Sequence, residues 1–147
     1  MKQAKNWKKI LEDTRKIDNI LIEQKYSVKN KKRITVILTQ VAFEVYVHEI
    51  QKQNGTWKER MRYEDRLNSL KGFVKSHILK DLKSLYQIRN QYAHKLKPDT
   101  SLIKSLENGL ELWTSKTKKT KDKYVFASTL CLKELEFGLQ RALGVMS

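Results

Sequence analysis

The sequence predicts an all-α fold, a single-domain bundle of five to six helices, and three observations carry that expectation. Apolar residues recur at three- and four-residue spacing along most of the 147-residue chain, no two segments alternate in the manner of a pairing strand couple, and no stretch repeats. A chain of this length reads as one domain, residues 1–147, large enough to bury a core without disulfides or a structural metal.

The elements follow in order. Trp7, Ile10, Leu11, Thr14, Ile17 and Leu21 fall on one face of a helix predicted over residues 6–26, within a basic N-terminal segment spanning residues 1–28. A charge run of Lys29, Lys31, Lys32 and Arg33 then leads to Ile34, Ile37, Leu38, Val41, Val45 and His48, again at helical spacing. The β-branched residues there favour a strand locally, but the uninterrupted run exceeds an ordinary strand, so a helix burying that face is expected, ended by Asn54-Gly55. Residues 57–75 are highly charged and broken by Gly72, which leaves room for one or two short helices. Ile78, Leu79, Leu82, Leu85, Tyr86, Arg89 and Ala93 describe the next helix. Pro98 disfavours helical geometry at Lys97, which places the helix end between His94 and Leu96. Asp99 or Thr100 can cap a following helix bearing Ile103, Leu106, Leu110 and Trp113. The polar, basic loop 114–121, TSKTKKTK, precedes a last helix over residues 122–143, closed by Gly144.

Composition narrows the function. The formal charge is +15, with 31 Lys and Arg against 16 Asp and Glu and a pI near 9.9. So unbalanced a chain attracts polyanions, and nucleic acid is the leading partner class; a lysine-rich solvated surface with no selected partner is the alternative. The one cysteine, Cys131, excludes an intramolecular disulfide and a cysteine-rich zinc site, suits a reducing cytoplasm, and reads as a small core residue. No apolar run approaches the roughly 18 residues of a membrane span, since Gln40 and Glu44 interrupt the longest, and MKQAKNWKK lacks the apolar segment of a signal peptide. A soluble, cytoplasmic protein without membrane contact is expected. No phosphate-cradling glycine loop, HExxH, CxxC or nucleophile elbow is present, and no cofactor or metal is expected. Glu59, Glu64 and Asp65 alternate with arginines as a solvated face does, and His48 and His77 have no neighbours at metal-ligand spacing. Trp7, Trp57 and Trp113 are expected in the core or at a dimer contact rather than as base platforms.

The stretch IRNQYAHKLKPD, from Ile88 to Asp99, is the most informative. Arg89 and His94 stand five positions apart at the end of a core-lining helix, separated by roughly 140° of helical rotation, whereas Asn90 and His94 share a face. A two-fold axis beside the helix would bring the motifs of two subunits into one cleft. IRNQYAH resembles the signature of the HEPN superfamily, an arginine followed after four to six residues by a histidine, with a polar residue after the arginine. Those all-α domains include metal-independent RNA-cleaving toxins and abortive-infection proteins. Within that group ILKDLKSLYQIRNQYAH, LTQVAFEVYVHEI and KYVFASTLCLKEL are most similar to the mannitol operon repressor family, over roughly residues 34–139. The chain departs from that pattern in carrying Tyr92 where phenylalanine is expected and in its basic first helix.

The resemblance implies a homodimeric endoribonuclease in a toxin or antiphage setting, with an antitoxin protein as a further partner, or else a non-catalytic regulator. A plain nucleic-acid-binding accessory protein remains open beside both. In the cleaving case His94 serves as general base or acid, because histidine's unperturbed pKa of about 6.5 keeps both protonation states populated. Arg89 holds the phosphate oxygens and Asn90 orients the histidine or the phosphate. Glu44, at the edge of an apolar face, is expected to pair with Arg89, or alternatively with a lysine or His48. Tyr92 reads either as a base-stacking ring or as packing. Lys95 and Lys97 beside the motif, and Lys31, Lys32 and Arg33 upstream, are the candidate phosphate contacts; the loop lysines Lys116, Lys118, Lys119 and Lys121 read as solvated.

Overall fold

Apolar residues surround almost the whole circumference of the segment after Arg33, so packing area rather than pattern decides which side turns inward. The computed structural model describes residues 28–111 and 123–145, together with Lys9, Glu12 and Lys16. Five helices are bounded in it: α1 (Val28–Asn54), α2 (Tyr63–Asn68), α3 (Ser76–His94), α4 (Thr100–Asn108) and α5 (Lys123–Ala142). No strand occurs among the described residues, only an isolated bridge between Lys71 and Val74, so the all-α bundle expected from the sequence is the fold. Lys9, Glu12 and Lys16 are helical and exposed, with Lys16 and Glu12 paired at 3.5 Å; the rest of the expected first helix, Trp7, Trp113 and the loop 114–121 lie outside the described residues.

Helix α1 packs along α5 and across α3. It contributes Val36, Ala42, Phe43, Tyr46, Val47 and Ile50 to the core, joined by Tyr124, Ala127, Cys131, Leu135 and Leu139 from α5 and by Ile78, Leu82, Leu85 and Ile88 from α3. The face expected to be buried is the outer one: Val41 is 53% exposed, Val45 42% and Leu38 38%. The rings of Phe43 and Tyr46 remove more apolar area from water than the aliphatic stripe could, and the helix is rotated to bury them. Helix α1 also begins earlier than expected, at Val28, taking the charge run into its first turns, where lysine and arginine are good helix formers and no breaker intervenes.

Helix α3 ends at His94, and the Asp99 carboxylate caps α4 by accepting from the Leu102 N–H at 3.1 Å, both as expected. Helix α4 is shorter than the periodicity suggests. It stops at Asn108 before Gly109, and Leu110 is buried outside it because the next N–H, of Glu111, donates at 2.9 Å to Asp81 Oδ1 on α3. Trp57, expected to be core or contact, is 40% exposed and meets His48 edge-on at 5.3 Å. Among the described residues no helix is long and apolar enough to cross a membrane.

Of the described glycines, the one most closely approached is Gly138, between α5 and the turn that precedes α3. A Cβ built on Gly138 would stand 2.7 Å from Val74 Cγ2, 3.3 Å from the Phe73 carbonyl oxygen and 3.4 Å from Ile50 Cδ1. Three residues on, Arg141 Nη1 donates to the same Phe73 carbonyl at 2.8 Å. Gly138→Ala is expected to lower stability by about 1–3 kcal/mol through overpacking, read as a reduced urea midpoint with an unchanged slope. A midpoint equal to the parent's would show that the turn yields freely.

His48 supplies a pH dependence. Burial lowers its pKa, with Glu49 opposing and Lys52 and Arg66 adding to the effect. The unfolded imidazole therefore binds a proton before the folded one does, so stability falls as pH drops below about 6.5. Thermal midpoints measured from pH 7.5 to pH 5.5 should fall less steeply in His48→Gln than in the parent.

Candidate nucleic-acid interface

The last two turns of α3 carry the motif. Arg89 and Asn90 are half-buried and His94 is exposed. Arg89 Nη1 donates to Asn90 Oδ1 at 2.9 Å, while Arg89 Nε is buried and makes no hydrogen bond among the described residues. Asn90 lies about 40° around the helix from His94, so this hydrogen bond draws the guanidinium toward the face that the histidine occupies. That offsets part of the roughly 140° that separates the two residues by backbone placement.

The expected Glu44–Arg89 ion pair is not made. No ion pair joins them within 4.0 Å among the described residues, and the guanidinium is held by its own neighbour Asn90. Glu44 is half-buried near Tyr63 instead: burial pushes the Tyr63 hydroxyl well up, and the Glu44 charge adds to the rise. Tyr63 stacks on Tyr86 of α3, ring centres 4.0 Å apart.

Beyond His94 the chain turns sharply, and Gln91 fixes both ends of the turn. Its carbonyl accepts from the Lys95 N–H at 3.2 Å, and its side-chain Oε1 accepts from the Asp99 N–H at 3.2 Å. This loop forms one wall of a cleft of about 1040 Å³. Lys32 and Arg33 enter from α1, Tyr92 from α3, Leu96, Lys97 and Pro98 from the loop, and Thr100, Ser101, Ile103, Lys104 and Glu107 from α4. The cleft thus gathers four residues proposed from sequence: Lys32, Arg33, Tyr92 and Lys97. Arg89, Asn90, His94, Lys95 and Glu44 are outside its lining, and the side chain of Lys31 lies outside the described residues. Sequence reasoning missed Lys104, whose signal is its place one turn into a capped helix beside a proline-containing loop. Gln91 was missed because its role is made by tertiary geometry.

Behind the cleft the charges are arranged around Tyr124. Its hydroxyl donates to Glu107 Oε1, its ring receives Lys32 Nζ at 5.8 Å from the centroid, and Tyr92 meets it edge-on at 6.4 Å. Lys123 Nζ approaches Glu107 Oε2 at 3.8 Å. Both carboxylate oxygens are therefore engaged, and Glu107, the single acid in the lining among the described residues, does little to cancel Lys32, Arg33, Lys97 and Lys104. Burial pushes the Tyr124 hydroxyl far above its ordinary range, with the bond to Glu107 and the contact with Tyr92 adding to it, so it acts as a hydrogen-bond donor and not as a base.

Among the described residues no group of three histidine, cysteine or carboxylate side chains could hold a metal ion. Fold and site together define an all-α bundle with a basic cleft beside the C-terminal end of a long helix. Comparison with protein-family models, with curated proteins and with solved structures finds no match. Tyr124→Phe should lower stability by about 1.5–3 kcal/mol, the range for a hydrogen bond to a charged group, because Glu107 loses the donor on its Oε1. Denaturant midpoints of Tyr124→Phe, Glu107→Gln and the double variant check this through the coupling between the two sites.

Proposed function

We propose that the chain is a metal-independent endoribonuclease of the HEPN type, acting as a homodimer on RNA. The observation that carries this reading is the hydrogen bond from Arg89 Nη1 to Asn90 Oδ1, which turns a fixed cation toward the face of the exposed His94. In the proposed reaction His94 takes the proton from a ribose 2′-hydroxyl. The 2′-oxygen forms a bond to the adjacent phosphorus, and the bond from phosphorus to the 5′-oxygen breaks. An imidazolium of His94, in the same or the second copy, gives a proton to that leaving oxygen, so the protons balance, and a 2′,3′-cyclic phosphate remains. Arg89 stabilises the charge that builds on the phosphoryl oxygens, a role suited to its permanent charge and planar fork. The exposed aliphatic stripe Leu38, Val41 and Val45 on α1 supports association with a second copy, and the strongly basic surface suits RNA as substrate and an acidic antitoxin protein as inhibitor.

A second reading is a nucleic-acid-binding regulator without cleavage, as the likeness to mannitol operon repressors suggests. It is favoured by one observation: Arg89, Asn90 and His94 all stand outside the lining of the basic cleft.

The deciding experiment is incubation of labelled RNA with the protein in EDTA, beside His94→Ala and Arg89→Ala. The first reading expects cyclic-phosphate ends from the parent and a loss of about 10²–10⁴-fold in His94→Ala, the usual contribution of a general acid or base. Equal behaviour of all three, with the fold intact by circular dichroism, assigns the second.

A further inference from the structure

We infer that the outer stripe of α1 is the docking face for a segment of the same chain, residues 7–21, of which Lys9, Glu12 and Lys16 are described. The core takes its contacts from the other side of α1, through Ala42, Phe43, Tyr46, Val47 and Ile50, so the stripe is left over. Ile34, Leu38, Val41, Val45 and His48 follow one another at alternating steps of four and three residues, and Leu38, Val41 and Val45 stand exposed. A seam this narrow and regular is what one helix offers to a second in a coiled coil, whereas a helix facing a globular core presents a wider band. Trp57, set edge-on against His48, closes the far end of the seam.

The sequence names the occupant. Trp7, Ile10, Thr14, Ile17 and Leu21 repeat the same alternation of three and four. Lys9, Glu12 and Lys16 are helical and exposed, and their positions fall roughly 160° around a helix from that stripe, which leaves the apolar face for packing. Since α1 begins at Val28, a helix-to-helix loop of about two to five residues before it sets Ile17, Thr14, Ile10 and Trp7 nearly level with Ile34, Leu38, Val41 and Val45. The charges agree. From Ile34 to Gln51 the helix carries Glu44 and Glu49 but no lysine or arginine, while residues 1–27 hold seven lysines and arginines against four acids. A second copy would repeat the same two acids on both sides of the contact. Three half-exposed aliphatic side chains also fall well short of the roughly 800 Å² per partner of a stable interface, so a second copy that displaces the segment must add contacts elsewhere. A tethered segment needs far less area, because its effective concentration is on the order of millimolar.

The test uses the full chain. Thr14→Cys is combined with Leu38→Cys, and Ile10→Cys with Val41→Cys; circular dichroism verifies that the reduced variants fold, and each is oxidised at low micromolar concentration and read by mass and non-reducing gel. A disulfide closes only where the two Cα atoms come within about 7 Å, and the buried native Cys131 stays out of the exchange. The expected result is an intrachain link at the monomer's mass in at least one pair. Lys16→Cys with Leu38→Cys, whose first position is on the exposed side, should link at least about tenfold less. A link joining two chains seats a second copy on the stripe and overturns the proposal, as does no link in either pair or equal linking in the control. Val41→Lys gives a readout without cysteines. Lysine is a better helix former than valine, so on an open face the urea midpoint holds or rises, and either result overturns the docking. On a covered face the midpoint falls, which is the result expected. Docking of the segment does not depend on RNA cleavage, and a cleavage assay on the same preparations scores the two separately.

Discussion

At Gly138 the last helix carries no side chain, and the turn at residues 73–74 occupies the space that one would fill. This contact fixes how closely α5 approaches the rest of the bundle. Ile50 from α1 reaches the same point, and Arg141 ties the Phe73 carbonyl to α5 one turn later. Helix α3 starts at Ser76, immediately after that turn, and runs for 19 residues as a rod of about 28 Å. Whatever sets the angle of its first turn therefore sets the position of Arg89, Asn90 and His94 at its far end. Native interiors transmit displacement in this way because they are packed nearly as densely as organic crystals.

Much of the fold is legible in the sequence because it depends on local chemistry. The end of α3 before Pro98, the Asp99 cap and the closing Gly144, at φ +71°, follow from backbone restrictions that act within a few residues. The burial of Cys131 is equally legible, since an isolated small apolar residue in a helical stripe has little else to do. The orientation of α1 is not, because nearly every side of the helix is apolar and the choice falls to Phe43 and Tyr46, whose partners lie on distant segments. The same limit explains Leu110, which keeps the periodic spacing of α4 yet is buried outside it by a hydrogen bond to Asp81, about thirty residues away. Within the site, residue types were readable and pairings were not. Burial cost points Arg89 toward a distant carboxylate, whereas its immediate neighbour, Asn90, reaches it without any ordering of a second helix.

The electrostatics of the molecule separate into contacts that hold it and charges left free. Lys83–Glu64 at 2.7 Å and Lys80–Glu111 at 3.3 Å are exposed pairs; the first holds the Glu64 carboxyl below its usual range through its hydrogen bond, but such pairs add little to stability. The cleft cations, with no ion pair among the described residues, are of the other kind. Lys32 gains some compensation from the Tyr124 ring, yet the group as a whole raises the local positive potential, and with a net charge of +15 it gives the molecule a long-range field that salt will screen within about 10 Å at 0.1 M. Keeping Lys32, Arg33, Lys97 and Lys104 close together opposes folding slightly and favours any anion that arrives.

Cys131 has a use that has nothing to do with ligands. It is wholly buried on the core-facing side of α5, and burial pushes its thiol well above the ordinary range, with Asp81 and Glu134 adding to that. A thiolate is the species that alkylating reagents attack, so the folded chain should be inert to them. Reaction then waits for the bundle to part, and with no second thiol in the sequence each modified molecule records one such opening. The chain carries its own clock for how often its core is breached.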